Sequence, residues 1–269
     1  MKKEVKLVKK LSSLLKQLNC RSYLHHFGPK KFKFKQHMLA LLLKEVCKMS
    51  FRRVSNLISL FGLAVPTYSA LCKMRKRIPL WIWEKLLKLT AGMKYKQVAI
   101  DGTGFSRTNP SYHYIKRIDR REPVKSYAKL SALFDVETKK FCAVRIRTKP
   151  RHDMQDVKYL LKRTEIQQTL FGDTGYDAKW LRELCYQKKI QPQIKPRKNT
   201  TKKNMKKIIA KGYSEEKYHQ RSLIESGFGS LKRKYGGSVS GKGVASIRPE
   251  IYCKAIAHNI SLRRIEIFN

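Results

Sequence analysis

Over roughly the first 95 residues, apolar side chains recur every three to four positions, the spacing of helices that bury one face. Val8, Leu11, Leu15 and Leu18 define one such helix, and Met38 to Val46 is a second apolar stretch. Ser50 stands where an N-cap is needed for a third helix, which carries Val54, Leu57, Ile58 and Phe61 and is broken by Gly62. Thr67 caps a fourth, with Leu71 and Met74 inward and Lys73, Arg75, Lys76 and Arg77 on its other face. A helix, a glycine-containing turn and a basic helix predict a helix-turn-helix that docks on DNA. A plain helical bundle with a solvated basic face fits the same pattern.

Near residue 95 the period shortens. Val98 to Ile100 is a short apolar run ending at Asp101-Gly102, Ala128 to Phe134 is another, and Phe141 to Ile146 alternates. Asp135, Glu137, Thr138 and Lys139 form the turn of a predicted hairpin. Thr169 to Phe171 leads into Gly172-Asp173, and Ile190 to Ile194 is a further strand. Helices are predicted over about 153–162, 177–187 and 214–233. Strands followed by alternating helix and strand predict a mixed α/β domain over 95–269, behind a small all-α DNA-binding domain over 1–94. Between them in character is Lys195 to Lys211, with eight basic residues that include Lys195, Arg197 and Lys198. We read about 195–213 as a mobile basic loop lying along a phosphate backbone, the alternative being a solvated surface loop.

Charge narrows the partner. The 269 residues carry 61 lysines and arginines against 19 aspartates and glutamates, a net +42. Such a charge destabilises a compact fold unless a polyanion offsets it, which points to nucleic acid. A membrane-surface or heparin-like binder fits less well, because the basic residues run through the whole chain instead of concentrating on one amphipathic helix. The six cysteines form no Cys-x-x-Cys pair and read as buried, reduced thiols. The first ten residues are charged where a signal peptide needs an apolar core, and the longest clean apolar run is Met38 to Leu43. A cytoplasmic, nucleoid-associated protein is expected.

In so basic a chain the carboxylates are informative. Asp101 and Asp173 each follow an apolar strand, at a sheet edge where a fixed backbone presents the side chain to solvent. Two-metal phosphoryl transfer needs clustered carboxylates of this kind, since Mg²⁺ prefers hard oxygen ligands. Taken singly, Asp101-Gly102 and Asp173-Thr174-Gly175 are also good turn segments. Asp135, in the hairpin, and Asp153, at a helix start, are lesser candidates. The third element is Tyr218-x-x-Arg221-x-x-x-Glu225-x-x-x-x-x-x-Lys232. At about 100° per residue these four fall at roughly 0°, 300°, 340° and 320°, one polar stripe beside an apolar one of Ile224, Phe228 and Leu231. Gly229, on the same polar stripe, suits close approach of a nucleic-acid backbone. A solvated face with intrahelical ion pairs is the plainer alternative.

At these positions the chain resembles the DDE transposases of bacterial and archaeal insertion sequences that carry the Y-(2)-R-(3)-E-(6)-K signature. Tyr218, Arg221, Glu225 and Lys232 match its spacing throughout, and the Asp101 and Asp173 segments resemble the family's two aspartate motifs. The similarity covers roughly residues 95 to 265. It implies an RNase H-like fold in which Asp101, Asp173 and Glu225 bind two Mg²⁺ or Mn²⁺ ions. It implies hydrolysis at element ends to free 3′ hydroxyls, followed by their attack on target DNA. Tyr218, Arg221 and Lys232 would then hold phosphates, and the protein would act as a homodimer on paired terminal inverted repeats. Only 52 residues separate Asp173 from Glu225, too few for the β-rich insertion some relatives carry there. A catalytically inactive DNA-binding derivative and an RNase H-like nuclease or resolvase are the competing functions.

Overall fold

A computed structural model describes residues 3–24, 30–107, 127–149 and 151–262, with side chains described from residue 9 onward in the first helix. Val8 therefore lies outside the side chains described. Five helices come first: α1 (Lys3–Gln17), α2 (Phe34–Val46), α3 (Phe51–Leu60), α4 (Tyr68–Arg77) and α5 (Leu80–Ala91). The two predicted caps are present. The Ser50 hydroxyl accepts from the Arg53 N–H at 3.2 Å and that of Thr67 from the Ala70 N–H at 3.4 Å. Gly62 ends the α3 segment with φ +68°, a conformation that glycine adopts without steric cost.

The sheet follows. Its strands are β1 (Lys94–Arg107), β2 (Tyr127–Asp135), β3 (Lys140–Arg147), β4 (Glu165–Gly172), β5 (Gln191–Ile194) and the two-residue β6 (Ser238–Val239). The order is β3-β2-β1-β4-β5, with β2 antiparallel to both neighbours and β4 and β5 parallel to β1. Helices α6 (Met154–Leu161) and α7 (Lys179–Gln187) connect β3 to β4 and β4 to β5. After β5 come α8 (Lys202–Ala210), α9 (Glu215–Tyr218), a 3₁₀ turn (His219–Arg221), α10 (Ser222–Tyr235) and α11 (Val244–Leu262). This is the RNase H-like arrangement, a mixed sheet flanked by helices behind a helical N-terminal region.

Alternation along the strands fills both faces. Val98 and Ile100 pack with α6 and α7 residues such as Val157, Leu160 and Leu181. Ala99 faces the other way, into a larger core with Phe134, Phe141, Phe228 and Ile256. That larger core also contains Leu11, Met38, Ile82 and Trp83, so buried packing runs without interruption across residue 94. Its spine is α11, buried at nearly every position from Ser246 to Ile260. Asn259 on α11 completes the outer edge of β3: its side chain accepts from the Phe141 N–H and donates to the Phe141 carbonyl, both at 2.9 Å. Beneath α4 lies a buried ionic cluster. Glu250 of α11 faces Lys44 at 3.2 Å and Arg75 at 3.5 Å, and Glu45 faces Lys44 at 2.6 Å and Lys254 at 3.5 Å.

Four expectations are corrected here. Arg75 does not lie on the exposed basic face of α4; it is 8% exposed, paired with Glu250 and stacked on Phe51, because a buried carboxylate needs a cation. The segment predicted as a mobile basic loop contains a helix, α8, whose first turn is capped by Thr201. The predicted helix over 214–233 is two helices joined by the 3₁₀ turn. Of the six cysteines, all free, Cys142, Cys185 and Cys253 are buried, whereas Cys20, Cys47 and Cys72 are only partly so. Among the described residues no helix is long and apolar enough to cross a membrane.

Candidate active site

The site occupies a gap in the sheet. β1 does not end at Asp101, as the sequence suggests, but runs on to Arg107, paired along one side with β2 from Val98 to Ser106. On its other side β4 stops at Gly172, level with Ile100, and β6 begins only at Ser106. Asp101 is thus the first residue of β1 with no strand beside it on that side. Asp173 is the first residue after β4, so parallel pairing brings the two aspartates next to each other. Each also holds its own backbone: Asp101 accepts from the Gly102 N–H at 2.7 Å and Asp173 from the Gly175 N–H at 2.8 Å. The turn-forming and site-forming roles coexist, since a carboxylate has lone pairs to spare.

The 3₁₀ turn and the start of α10 reach into the gap. Arg221 sits between Asp101, at 3.3 Å, and Glu225, at 2.7 Å. Its side chain is 19% exposed, like that of Asp101 at 18%, whereas Glu225 is 55% exposed. Asp173 and Glu225 disfavour the charge on Asp101. Burial first, and then the charges of Asp173 and Glu225, push the Asp101 carboxyl up to about 6, against the opposing pull of Arg221 and the Gly102 N–H. A trio of hard oxygen donors in mutual repulsion fits a divalent cation. As placed, no three acidic, histidine or cysteine groups among the described residues form a metal-holding set. The Arg221 guanidinium supplies the positive charge instead.

Tyr218 packs behind Arg221, and Lys232 lies farther along α10. Tyr218 is 8% exposed, with Lys195 5.3 Å and Arg221 5.9 Å from its ring centre, so it supports the cations from behind. The 3₁₀ turn alters the ideal helical stripe between Tyr218 and Arg221, because it advances about 120° per residue. Lys232 lies two turns further along α10, its amine 5.5 Å from the Phe105 ring and its pKa lowered by burial. Among the described residues, apart from its chain neighbours and the helix's own backbone, no atom lies within 4 Å of the place a Gly229 side chain would fill, so the backbone there is open.

Lys195 pairs with Glu215 at 3.2 Å, and the exposed Arg197 is tied by its N–H to Asp177 at 3.0 Å. Lys198 is exposed, as are Lys73, Lys76 and Arg77 on α4. The lesser candidates stand outside the trio. Asp135 accepts from the Thr138 N–H in the hairpin turn. Asp153 crosses over Gly102 and pairs with Lys129 at 2.5 Å. Lys129 gave no signal in the sequence; its basic side chain lies within an apolar strand, and only the fold shows its partner.

α10 is seated by close packing against β2. A Cβ added at Gly227 would lie 2.5 and 2.6 Å from two ring atoms of Phe134. That ring is 1% exposed and packed edge-on against Phe141, which stacks on Phe228, so it has no room to yield. Gly227→Ala is expected to cost about 1–3 kcal/mol, the usual range for overpacking, and to shift Glu225 away from the gap. Thermal unfolding should show a melting temperature lowered by several degrees, and an unchanged one would mean that α10 is loosely held.

A sheet of this order, with acidic residues gathered where its central strand loses a neighbour, defines an RNase H-like framework. Residues 92–260 match the family model described as the transposase DDE domain. The match spans more than half of the chain, and the chain belongs to that family. A comparison with curated proteins found no significant match. Among solved structures it is similar to Mos1 transposase in a paired-end complex with the left transposon end, at 10% identity over 81% of this chain and 83% of that one, with a TM-score of 0.25. A pre-cleavage Mos1 transpososome matches at 10% identity over 96% and 80%, also with a TM-score of 0.25. The fold assignment rests on the sheet order, not on these superpositions.

Proposed function

We propose that this chain is an insertion-sequence transposase that cleaves phosphodiester bonds at element ends and joins the freed 3′ hydroxyls to target DNA. The observation that carries the proposal is the convergence of Asp101, Asp173 and Glu225 from β1, the end of β4 and α10, with Arg221 bridging two of them. In this reading the three carboxylates hold two Mg²⁺ or Mn²⁺ ions. Bound metal would activate the attacking oxygen and stabilise the leaving one. The chain's own residues position the DNA. Arg221 beside the carboxylates and Lys232 two turns along α10 would offer hydrogen bonds to phosphate oxygens, with Tyr218 bracing Arg221. Lys195, Arg197, Lys198 and α8 extend the basic surface past the β5 edge. Lys73, Lys76 and Arg77 of α4 provide a separate basic face for duplex contact, with residues 1–94 contributing to end recognition. Paired ends would be held by a homodimer.

The test combines purified protein, Mg²⁺ and a plasmid carrying inverted repeats taken from the flanks of the coding region. End cleavage is expected, and Asp101→Asn, Asp173→Asn and Glu225→Gln should each remove it. Cleavage at wild-type levels in all three variants would exclude the trio. Tight binding of the ends with no nicking in either metal would indicate a DNA-binding derivative, and preferential cutting of branched DNA a resolvase.

A further inference from the structure

We infer that the outer edge of β3 carries a second polynucleotide track, which seats the backbone of a second duplex beside the carboxylates. The inference rests on the proposed function in one respect: an enzyme that joins two DNA segments must hold both. Two cavities of about 390 Å³ each lie along this edge, and a third, of about 680 Å³, opens beyond them at the starts of β4 and β5. The first and second share Val144 and Tyr252 and form one groove along the edge, which the third adjoins at Lys88, Lys162 and Arg163.

Strand register places this groove relative to the site. Asp101 pairs with Ala132, and Ala132 pairs with Val144. Val144 is therefore level with Asp101 and two strands away, about 10 Å at the usual interstrand spacing. β3 runs in the same direction as β1, so Arg147, Lys149 and Arg151 continue toward the end of the sheet where the carboxylates lie. The basic residues Lys195, Arg197 and Lys198 lie at the opposite edge, beyond β5. The carboxylates thus sit between two basic margins.

The chemistry of the groove suits a phosphate backbone. Along the β3 edge the acids are already taken: Asp156 accepts from Ser131 and pairs with Arg145 and Arg147, and Glu84 accepts from Tyr159 and pairs with Arg163, while the exposed Glu165 of the third cavity faces Lys94 at 3.8 Å. The outward charge is left positive by Lys149, Arg151 and Lys162, all exposed. The floor is fixed in place, because the Tyr159 ring is flanked by the guanidiniums of Arg145, at 4.2 Å, and Arg163, at 3.5 Å. A peptide added as an extra strand fits poorly. Asn259 already occupies the outward backbone of Phe141, and the Tyr252 hydroxyl donates to the Val144 carbonyl at 3.2 Å.

A triple variant, Lys149→Ala, Arg151→Ala and Lys162→Ala, tests this without touching Asp156 or Glu84. The first arm is metal-free binding of a labelled 30-base-pair duplex of arbitrary sequence, measured over a range of salt. Three lost phosphate contacts should flatten the plot of log affinity against log salt by about 2.7, with the melting temperature unchanged. An unchanged slope overturns the inference, as does weakened binding of a 30-nucleotide poly-dT strand with duplex affinity intact. The second arm supplies pre-cleaved end DNA and a separate plasmid. Strand transfer should fall at least 10-fold, while end cleavage stays within 2-fold of wild type; a parallel fall in both overturns the inference. If the wild-type chain cleaves nothing, the proposed function fails, and the first arm still decides the fate of the groove.

Discussion

Asp101→Asn is expected to reduce strand cleavage by roughly 10³-fold or more and, in the same protein freed of metal, to raise the melting temperature at pH 8. The first effect follows if the three carboxylates act as a unit, as proposed, where single losses cost nearly as much as losing the set. The second follows from the raised pKa of Asp101. Its carboxyl titrates near 6 in the folded protein, against an ordinary value of 3.8. Ionisation is therefore costlier in the native state than in the unfolded chain. That cost is absent below the ordinary value, grows as pH rises through the interval, and is complete above about 6. A shift of this size corresponds to at most roughly 3 kcal/mol, reduced by solvent at a partly open site. Asparagine cannot ionise, so the variant should melt roughly 2–6 °C higher than wild type at pH 8 and close to it at pH 4. A lower melting temperature at pH 8 would show that the carboxylates are not held together against repulsion.

The second large effect concerns Glu250. It is 3% exposed and accepts from the N–H groups of Ser240, at 3.0 Å, and Gly241, at 3.2 Å, besides facing Lys44 and Arg75. Glu250→Gln keeps the shape and removes the charge. Lys44, Arg75 and Lys254 would then share the single carboxylate of Glu45, which burial already pushes up in pKa. Removing one partner of a buried ion pair costs about 3–5 kcal/mol, because the remaining charges stay desolvated. For a chain of this size that amounts to roughly 6–20 °C in melting temperature. Lys73→Gln, on the exposed face of α4, is the control and should change little. A Glu250→Gln protein that melts within about 2 °C of wild type would show that the cluster is solvated.

The sequence made some features legible and hid others for identifiable reasons. Helices α3 and α4 announced themselves through caps and apolar spacing, although in α3 only Val54 is buried while Leu57 and Phe61 are exposed, and the β2–β3 hairpin through alternation and a polar turn. The trio of carboxylates was legible because acidic residues are rare in this chain and Glu225 sits in a spaced signature. What failed was non-local. Nothing near Arg75 marks it as buried, since its partner Glu250 is brought in by tertiary packing. α11 has no polar stripe, because it is surrounded on all sides, so the periodicity that reveals surface helices is missing. α8 has the opposite character: it buries no residue, and its lysines look like those of a loop. The extension of β1 past Asp101 was hidden by Gly102 and Gly104, which read as turn residues although β2 holds them extended.

The core that runs unbroken past residue 94 bears on how such proteins can diversify. Proteins built from separable modules acquire new binding preferences by exchanging one module for another. Here an exchange near residue 94 would separate Lys44, Glu45 and Arg75 from Glu250 and Lys254, and Leu11, Met38 and Trp83 from the helix they pack against. The incoming helices would meet an α11 shaped for other side chains and a set of unmatched buried charges. If the exposed face of Lys73, Lys76 and Arg77 contacts DNA as proposed, new preferences are therefore more accessible through substitutions there than through the grafting of a foreign N-terminal segment.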